Sequence, residues 1–246
     1  MIKAKATTRD RLIVALDTSS LDEAQRLVEE LKDEVTYFKV GLELFCHAGV
    51  NLFDFVKSHG LKIFFDGKFL DIPNTVAGAA RNITSHGVNM FNIHATGGLE
   101  MMKAAAEATR LEAKRLEIEK PLLIAVTVVT SLDDQSLKSE LSVNKPVAEH
   151  VVDLALLARE AGLDGVVASA MEARSIREAV GEDFVIVTPG IRPSWSENND
   201  QKRIVTPCQA LKDGSDYLVV GRPITTANNR KEAARRIIDE MEQAIA

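Results

Sequence analysis

The sequence predicts a single-domain α/β protein with the architecture of a (β/α)8 TIM barrel. Short apolar runs rich in β-branched residues recur along the 246 residues, and an amphipathic stretch of helical period follows each run. The runs are apolar almost throughout, which is typical of parallel strands buried on both faces of a sheet. Eight such βα units in a chain of this length indicate a closed barrel rather than an open doubly wound sheet.

The strand candidates are apolar segments of strand length. In chain order they are "RLIVALD" (11–17), "VTYFKVG" (35–41), "KIFFDGK" (62–68), "VNMFNIHA" (88–95), "LLIAVTVVT" (122–130), "DGVVASA" (164–170), "FVIVTPG" (184–190) and "DYLVVGR" (216–222). No Gly-x-Gly-x-x-Gly follows the first strand, which argues against a dinucleotide-binding sheet.

The helix candidates lie between the strands, where apolar residues recur with the period of an α-helix. They lie near 20–32, 43–59, 74–86, 97–118, 146–161, 171–180, 207–213 and 228–245. Pro73 fits the first turn of the third helix, where no backbone N–H is needed. No linker divides the chain, so residues 1–246 are predicted to form one barrel domain with an N-terminal tail at 1–10.

The composition is that of an acidic globular enzyme. The net charge of −6 and the pI of about 5.5 do not favour a nucleic-acid or membrane partner. The apolar runs are too short to span a membrane, and no apolar segment typical of a signal peptide follows the basic start of the chain. Cys46 and Cys208 belong to no metal-binding pattern. We therefore expect reduced thiols and a cytoplasmic protein.

Polar residues follow the strand candidates at their carboxyl ends, where barrels of this kind carry their chemistry. They are Asp17, Lys39, Asp66, Lys68, Asp71, His94, Thr130, Ser131 and Ser169, followed by "TPGIRP" and "VGRP" after the last two strands. The starts of the strands carry nothing comparable. The sequence therefore predicts a functional site at the carboxyl face of the barrel.

The stretch "FFDGKFLDIPNTV" (64–76) supplies three of these charges. Asp66 and Lys68 are two residues apart, so on a regular strand their side chains point the same way. A structural ion pair at the strand end would explain these two residues alone. Lys39 and Asp17 end neighbouring strands, however, and with Asp71 they would converge on one cavity, which favours a functional site.

A second group of residues fits a phosphate. In such barrels the loops after the seventh and eighth strands often bind phosphate, and here they contain "PGIRP" and "VGRPIT". Gly190 and Gly221 allow close approach of the backbone, and Arg192 and Arg222 offer donors that suit phosphate oxygens. Either arginine alone could instead be a solvated surface charge.

The segment 190–206 contains a long polar stretch, "SWSENNDQKRIV", and is interpreted as a loop that closes over the phosphate. Gln201 would contribute to that contact, whereas a tolerated surface insertion is the alternative. His94 has no second His or Cys at metal-binding spacing, so a hydrogen-bonded structural role is expected for it. Ser131 and Ser169 lack the sequence context of a nucleophile.

These motifs resemble those of a known family. "DGKFLDIPNT" is similar to the Asp-x-Lys-x-x-Asp-Ile-Pro-Asn-Thr signature of the orotidine 5′-phosphate decarboxylases. The resemblance continues in "IVALD", "KVG", "LLIAVTVVTS", "TPGIRP" with "DQKRI", and "VGRPIT", and so covers essentially the whole chain. It is the bacterial stand-alone form that the chain resembles.

The resemblance implies decarboxylation of orotidine 5′-monophosphate (OMP) to uridine 5′-monophosphate (UMP) and CO₂, the last step of de novo pyrimidine synthesis, with no metal and no organic cofactor. It implies that Lys68 is the proton donor to C6 of the pyrimidine, within a charged catalytic array of Lys39, Asp66, Lys68 and Asp71. The implied substrate-binding residues are Asp17, Lys39, Asp66, Thr75, Thr130, Ser131, Pro189, Arg192, Gln201, Gly221 and Arg222. It also implies a homodimer in which Asp71 and Thr75 reach the neighbouring subunit's active site. Gly67, within the signature, is expected to be a neutral variation.

Two alternatives to this function share some of its features. The first is a metal-dependent decarboxylase of keto-sugar phosphates, which shares the barrel and the Asp-x-Lys-x-x-Asp pattern. The pattern typical of such enzymes has a glutamate metal ligand where this chain has Lys39. A lysine at that position repels a divalent cation, which argues against this alternative. A non-catalytic phosphate-binding barrel would not need Lys68 between two aspartates.

Overall fold

The computed structural model describes residues 7–195 and 205–244, which form an eight-stranded parallel barrel. The strands are β1 (Leu12–Ala15), β2 (Tyr37–Gly41), β3 (Lys62–Phe69), β4 (Met90–His94), β5 (Leu122–Val126), β6 (Gly165–Val167), β7 (Val185–Thr188) and β8 (Tyr217–Val220). Each strand pairs with the next in chain order, and β8 pairs with β1 to close the barrel. The predicted single-domain (β/α)8 barrel is confirmed.

Helices connect the strands on the outside of the barrel. They are α1 (Thr8–Arg11), α2 (Leu21–Leu31), α3 (Leu42–Ala48), α4 (Asn51–Ser58), α5 (Pro73–Ser85), α6 (Gly98–Leu116), α7 (Asp134–Leu141), α8 (Val147–Glu160), α9 (Ala170–Val180), α10 (Pro207–Lys212), α11 (Arg222–Thr225) and α12 (Arg230–Glu242). A single turn of 3-10 helix, Ala95–Gly97, precedes α6. In the two described parts of the chain, no helix is long and apolar enough to span a membrane.

Four elements differ from the sequence-based expectation. The helix predicted over 43–59 is two helices, because Gly49 adopts φ +60 and ends α3. The strand predicted over 122–130 ends at Val126, and α7 follows in the connection to α8. A four-residue helix, α11, directly follows β8. The last part of the tail predicted at 1–10 is a helical turn, α1, with Thr7 as its capping residue.

The strands divide the core into an inner and an outer part, because alternate side chains point to opposite faces. The inner cluster inside the barrel consists of Ile13, Ala15, Tyr37, Phe64, Met90, Ile124, Val185, Val187, Tyr217 and Val219. The outer cluster lies between the strands and the helices. The barrel is therefore filled with apolar side chains up to the level at which Lys39, Asp66 and Asn92 occur on β2, β3 and β4.

The amino ends of the strands contain a charged network. The expectation that the strand starts carry no charged residues comparable with those at the carboxyl ends is therefore wrong. Arg177 on α9 donates to the carbonyls of Gly181, Phe184 and Gly214 and to Asp216 Oδ2, at 2.6–2.8 Å. Arg177, Gly214 and Asp216 line a cavity of about 480 Å³ at this end of the barrel. Because four acceptors hold the guanidinium, the network ties α9 to β7 and β8 and is structural.

An aromatic cluster packs behind β3, on the outer face. The ring of Phe65 lies 4.7 Å from that of Phe45, 5.6 Å from that of Phe53 and 5.8 Å from that of Phe69, measured between centroids. A Cβ atom on Gly67 would lie 2.4 and 2.8 Å from two atoms of the Phe65 ring. Gly67 is therefore not the neutral position that the sequence suggested, because the Phe65 ring occupies the space that a side chain would need.

We expect Gly67→Ala to lower the free energy of unfolding by about 1–3 kcal/mol through overpacking. In a Phe65→Leu background the same change should cost clearly less, because the smaller side chain vacates the space. Urea denaturation of the wild type, the two single variants and the double variant measures the interaction between the two positions. Additive losses would contradict this packing argument.

Candidate active site at the carboxyl end of the barrel

The end of β3 is an irregular strand. Phe65 pairs with Phe91 and Phe69 pairs with Ile93, so three residues of β3 oppose the single residue Asn92 of β4. Within this bulge Lys68 adopts φ +49, a left-handed conformation that costs a residue with a side chain about 1–2 kcal/mol. Bulges of this kind often re-aim a side chain next to an active site.

Two lysines meet on one buried carboxylate. Lys68 Nζ lies 2.6 Å from Asp66 Oδ1, and Lys39 Nζ lies 3.4 Å from Asp66 Oδ2. Lys39 Nζ also donates to Asp17 Oδ1 at 2.9 Å. Lys39 and Asp66 are 8% and 9% exposed, so their charges are largely removed from water. The sequence-predicted convergence of Asp17, Lys39, Asp66 and Lys68 is therefore present within one chain.

The pKa values of Asp66 and Lys39 favour the charged form of both groups at neutral pH. Burial raises the pKa of Asp66, but Lys39 and Lys68 together with the hydrogen bonds from Lys68 and Asn92 outweigh burial, so the pKa is lowered. Burial lowers the pKa of Lys39, but Asp66 and Asp17 outweigh it, so this pKa is raised. The ionised form of each group thus stabilises the ionised form of the other.

Asn92 is a member of the site that the sequence analysis missed. Its Nδ2 donates to Asp66 Oδ1 at 2.7 Å, and its Oδ1 accepts from the backbone N–H of Lys68 at 2.7 Å. A signal for it existed in the sequence, since "VNMFNIHA" places an asparagine in the middle of an otherwise apolar strand.

An apolar cavity of about 190 Å³ adjoins the lysines. Its walls are mainly aliphatic and aromatic, with Lys39, Asp66 and Lys68 on one side. The other lining residues are Phe64, Val126, Val128, Val129, Thr130, Val167, Ala168, Pro189 and Val219. Thr130 therefore lies at the site as predicted, whereas Ser131 is exposed and is not among the lining residues.

A second, more polar cavity of about 210 Å³ lies beside the first and shares Lys39, Asp66, Pro189 and Val219 with it. Its other lining residues are Ala15, Asp17, Gly190, Ile191, Arg192, Gly221 and Arg222. The two glycine–arginine segments predicted to bind phosphate are thus brought together. The two cavities form one continuous site with the charged array between them.

The base of the loop after β7 is fixed by backbone pairing. Ile191 forms a parallel bridge with Val205, and the N–H of Arg192 donates to the Val205 carbonyl at 3.1 Å. Arg192 is 6% exposed, so it belongs to the wall of the cavity rather than to the surface. The predicted closing loop at 190–206 includes Gln201, which lies outside the described residues.

Asp71 and Thr75 are not brought to the array within one chain. Both are exposed, and Asp71 Oδ1 accepts from the adjacent N–H of Ile72 at 2.6 Å. Among the residues that the structure describes, Asp71 forms no ion pair. Their predicted role therefore requires a second copy of the chain.

His94 does not have the hydrogen-bonded role expected for it. Within 7–195 and 205–244 its imidazole forms no hydrogen bond, and burial together with the nearby charge of Lys68 lowers its pKa, against the opposing effect of Asp66. Its position two residues beyond Asn92 places it above the array. In the same described ranges, no group of three His, Cys, Asp or Glu side chains could hold a metal ion.

The family model described as "Orotidine 5′-phosphate decarboxylase / HUMPS family" matches residues 10–237. A match over nearly the whole barrel decides the family. This chain belongs to the orotidine 5′-phosphate decarboxylase / HUMPS family. The resemblance noted in the signature and the other motifs is therefore confirmed.

Individual relatives agree with the family match. A protein from Moorella thermoacetica, named orotidine 5′-phosphate decarboxylase, is 53% identical over 234 residues, which are 95% of this chain and 93% of that protein. A protein of the same name from Syntrophomonas wolfei is 49% identical over 236 residues, or 96% of this chain and 99% of that protein. The crystal structure of orotidine 5′-phosphate decarboxylase from Lactobacillus acidophilus superposes with a TM-score of 0.84 at 37% identity, covering 94% of this chain and 99% of that one.

The lowered pKa of Asp66 gives a prediction for stability. Its contribution to the free energy of unfolding is fully present above its ordinary pKa of 3.8 and is lost as the pH falls through the lower folded-state pKa. At pH 7 we expect Asp66→Asn to destabilise the fold by about 3–5 kcal/mol, because Lys39 and Lys68 lose their shared buried partner. The difference should shrink in acid, as measured by urea denaturation across pH.

A matched control is Asp54→Asn, since Asp54 pairs with Lys57 at 3.0 Å but its side chain is 77% exposed. That change should have little effect at any pH. Equal losses for the two variants would show that the buried array contributes no more than a surface pair.

Proposed function

We propose that this chain decarboxylates OMP to UMP and CO₂ with Lys68 as the proton donor to C6 of the pyrimidine. The observation that carries the mechanism is the pair of ammonium groups held on the buried carboxylate of Asp66 at the mouth of the barrel. The overall reaction, OMP decarboxylation in pyrimidine biosynthesis, is confirmed by the family match and by the names of the relatives. The roles of individual residues are our proposal.

The reaction needs electrostatic help at a single carbon. Breaking the bond from C6 to the carboxylate leaves the electron pair on C6, and no neighbouring carbonyl accepts it. A preorganised ammonium group stabilises such charge where it develops. The Lys68 ammonium then gives a proton to C6, which forms the C–H bond of UMP and leaves a neutral amine that solvent reprotonates.

Asp66 explains why the lysines do not simply hold the substrate. Two unpaired lysines would bind the substrate carboxylate as strongly as they bind the transition state, and this would add nothing to kcat. With Asp66 between them the lysines stay positively charged, and the negative charge of its carboxylate offsets part of their attraction for the substrate carboxylate. The array therefore favours the carbanion over the bound carboxylate.

The two adjoining cavities fit the two halves of the nucleotide. The apolar cavity suits the pyrimidine ring, with Thr130 at its edge and Ser131 on the segment that follows. The polar cavity suits the ribose and the phosphate. We assign Asp17 and Lys39 to the ribose hydroxyls, and Pro189, Arg192, Gln201, Gly221 and Arg222 to the phosphate end.

We further propose that the active enzyme is a homodimer in which Asp71 and Thr75 enter the partner's site. Support comes from exposed apolar side chains, since Leu70 and Ile72 on either side of Asp71 are 55% and 66% exposed in the single chain and Leu42 at the start of α3 is 51% exposed. Burying them against a second copy would remove this apolar surface from water. The same contact would supply the second carboxylate that the array lacks within one chain.

A cytoplasmic location is also proposed. It is supported by the two cysteines, which are free thiols: Cys46 is exposed and Cys208 is half-buried. Thiols in these positions persist in a reducing compartment.

The first test follows the ultraviolet absorbance of OMP in excess EDTA. We expect the orotate chromophore to disappear at a catalytic rate in the wild type. In Lys68→Ala the rate should fall by at least about 10³-fold, because both the stabilising charge and the proton are lost. Circular dichroism checks that the variant is folded. Activity that requires an added divalent cation, on a keto-sugar phosphate instead of OMP, would overturn the proposal.

The second test concerns the shared site. Lys68→Ala and Asp71→Ala should each be nearly inactive as pure proteins. Mixed and allowed to exchange subunits, they should recover up to about a quarter of the wild-type activity, because half of the dimers are then mixed and one of the two sites in each is intact. No recovery, although subunit exchange is shown by differently tagged chains, would place Asp71 in its own subunit's site.

A further inference from the structure

Asn92 is a buried polar residue in a place where the barrel is otherwise apolar. It is 1% exposed and points into the barrel from the middle of β4, directly above Met90 of the inner cluster. A buried amide without hydrogen-bond partners would destabilise the fold by about 1–3 kcal/mol. The groups that Asn92 contacts should therefore explain why an asparagine occupies this position.

Both ends of the Asn92 side chain are used, and both contacts lie in the bulge of β3. The carbonyl oxygen accepts from the backbone N–H of Lys68, and the amide nitrogen donates to the carboxylate of Asp66. The orientation of the amide is fixed by these partners, because one is a donor and the other an acceptor.

The first contact holds the backbone of Lys68. In the bulge, three residues of β3 face one residue of β4, so the regular ladder cannot provide an acceptor for each N–H. The Asn92 side chain replaces the missing carbonyl at 2.7 Å. It thereby stabilises the left-handed conformation of Lys68, which aims its side chain back at Asp66.

The second contact holds the carboxylate of Asp66. Asn92 Nδ2 and Lys68 Nζ both donate to Oδ1, at 2.7 and 2.6 Å. Oδ2 is then turned towards Lys39 Nζ at 3.4 Å. One side chain therefore fixes the direction of the carboxylate and the backbone of the lysine that pairs with it.

We propose that Asn92 is a positioning residue for the decarboxylation, which sets the geometry of Lys68 and Asp66 without touching the substrate. The proposal rests on the proposed function of Lys68. It goes beyond that function because it places the control of the proton donor on the neighbouring strand, in an amide that fills the β3 bulge.

The chain offers a matched control in Asn89. Asn89 directly precedes β4, and its Oδ1 accepts from the backbone N–H of Ile63 on β3 at 2.9 Å, which is the same kind of bond at the opposite end of the barrel. Asn89→Ala removes a cross-strand amide contact of equal type but leaves Lys68 and Asp66 alone. A purely structural role of Asn92 would make the two alanine variants equivalent.

We would measure kcat and KM for OMP in Asn92→Ala, Asn92→Asp and Asn89→Ala, together with thermal unfolding. In Asn92→Ala we expect kcat to fall by about 10²-fold with KM within about threefold, since a small misplacement of a reacting group has this effect on the chemical step. Asn89→Ala should lose thermal stability and keep kcat within about twofold of the wild type. Equal kcat in the two variants would overturn the proposal.

The Asn92→Asp variant gives a second, independent criterion. When ionised, Asp at this position can accept from Lys68 but cannot donate to Asp66, and it places a second negative charge beside that carboxylate. When protonated, it reproduces both hydrogen bonds. The other titratable groups around position 92 are Asp66, Lys39, Lys68 and His94. We expect kcat of Asn92→Asp, relative to the wild type, to rise as the pH is lowered from about 8 to about 6. A ratio that is flat or falls would contradict the donor role, and this variant decides the question if Asn92→Ala does not fold.

Amide hydrogen exchange of Lys68 tests the contact without catalysis. The exchange should be faster in Asn92→Ala than in the wild type and unchanged in Asn89→Ala. If the wild type does not turn over OMP, the proposed function fails, whereas unchanged exchange at Lys68 in Asn92→Ala would reject the positioning role on its own.

Discussion

The structure of the site depends on one buried carboxylate. Asp66 is a buried anion that two lysines share, and its two oxygens face Lys68 and Lys39 separately. Everything around it serves to keep this group ionised and directed. The apolar inner cluster below excludes water, β2 and β3 carry the cations Lys39 and Lys68, and the amide of Asn92 on β4 fixes its orientation. Removing water strengthens each of these interactions, and it also makes each of them necessary.

Much of this could be read from the sequence, for a physical reason. Strands buried on both faces must be apolar almost throughout, so the barrel was visible as repeated runs, and the charges at the strand ends stood out against them. Chain order then placed Asp17, Lys39 and Asp66 side by side, because consecutive strands of the barrel are neighbours. The two glycine–arginine segments met for the same reason.

Other features had no local signal. The segment after Val126 is as apolar as a strand, yet it leaves the barrel, because tertiary packing decides where pairing stops. A left-handed lysine has no sequence signature, so the bulge that contains Lys68 could not be foreseen. Asn92 stands out as a polar residue in an apolar strand, but its contacts follow from the bulge in β3, which the sequence does not reveal. Asp71 and Thr75 are exposed in one chain, so their predicted role depends on contacts with a second copy of the chain.

The bulge in β3 and the bridge between Ile191 and Val205 impose opposite limits on insertions and deletions. The bridge joins the two ends of the loop after β7, so residues added or removed between them leave the barrel register unchanged, and the entropy of loop closure grows only slowly with length. Between Phe65 and Phe69 the count of residues is itself the structure, since three must oppose one. A single deletion there would turn the following side chains to the other face of the sheet. The loop after β7 can therefore change in length without disturbing the barrel, whereas the spacing of the charged residues on β3 cannot change without altering the direction of their side chains.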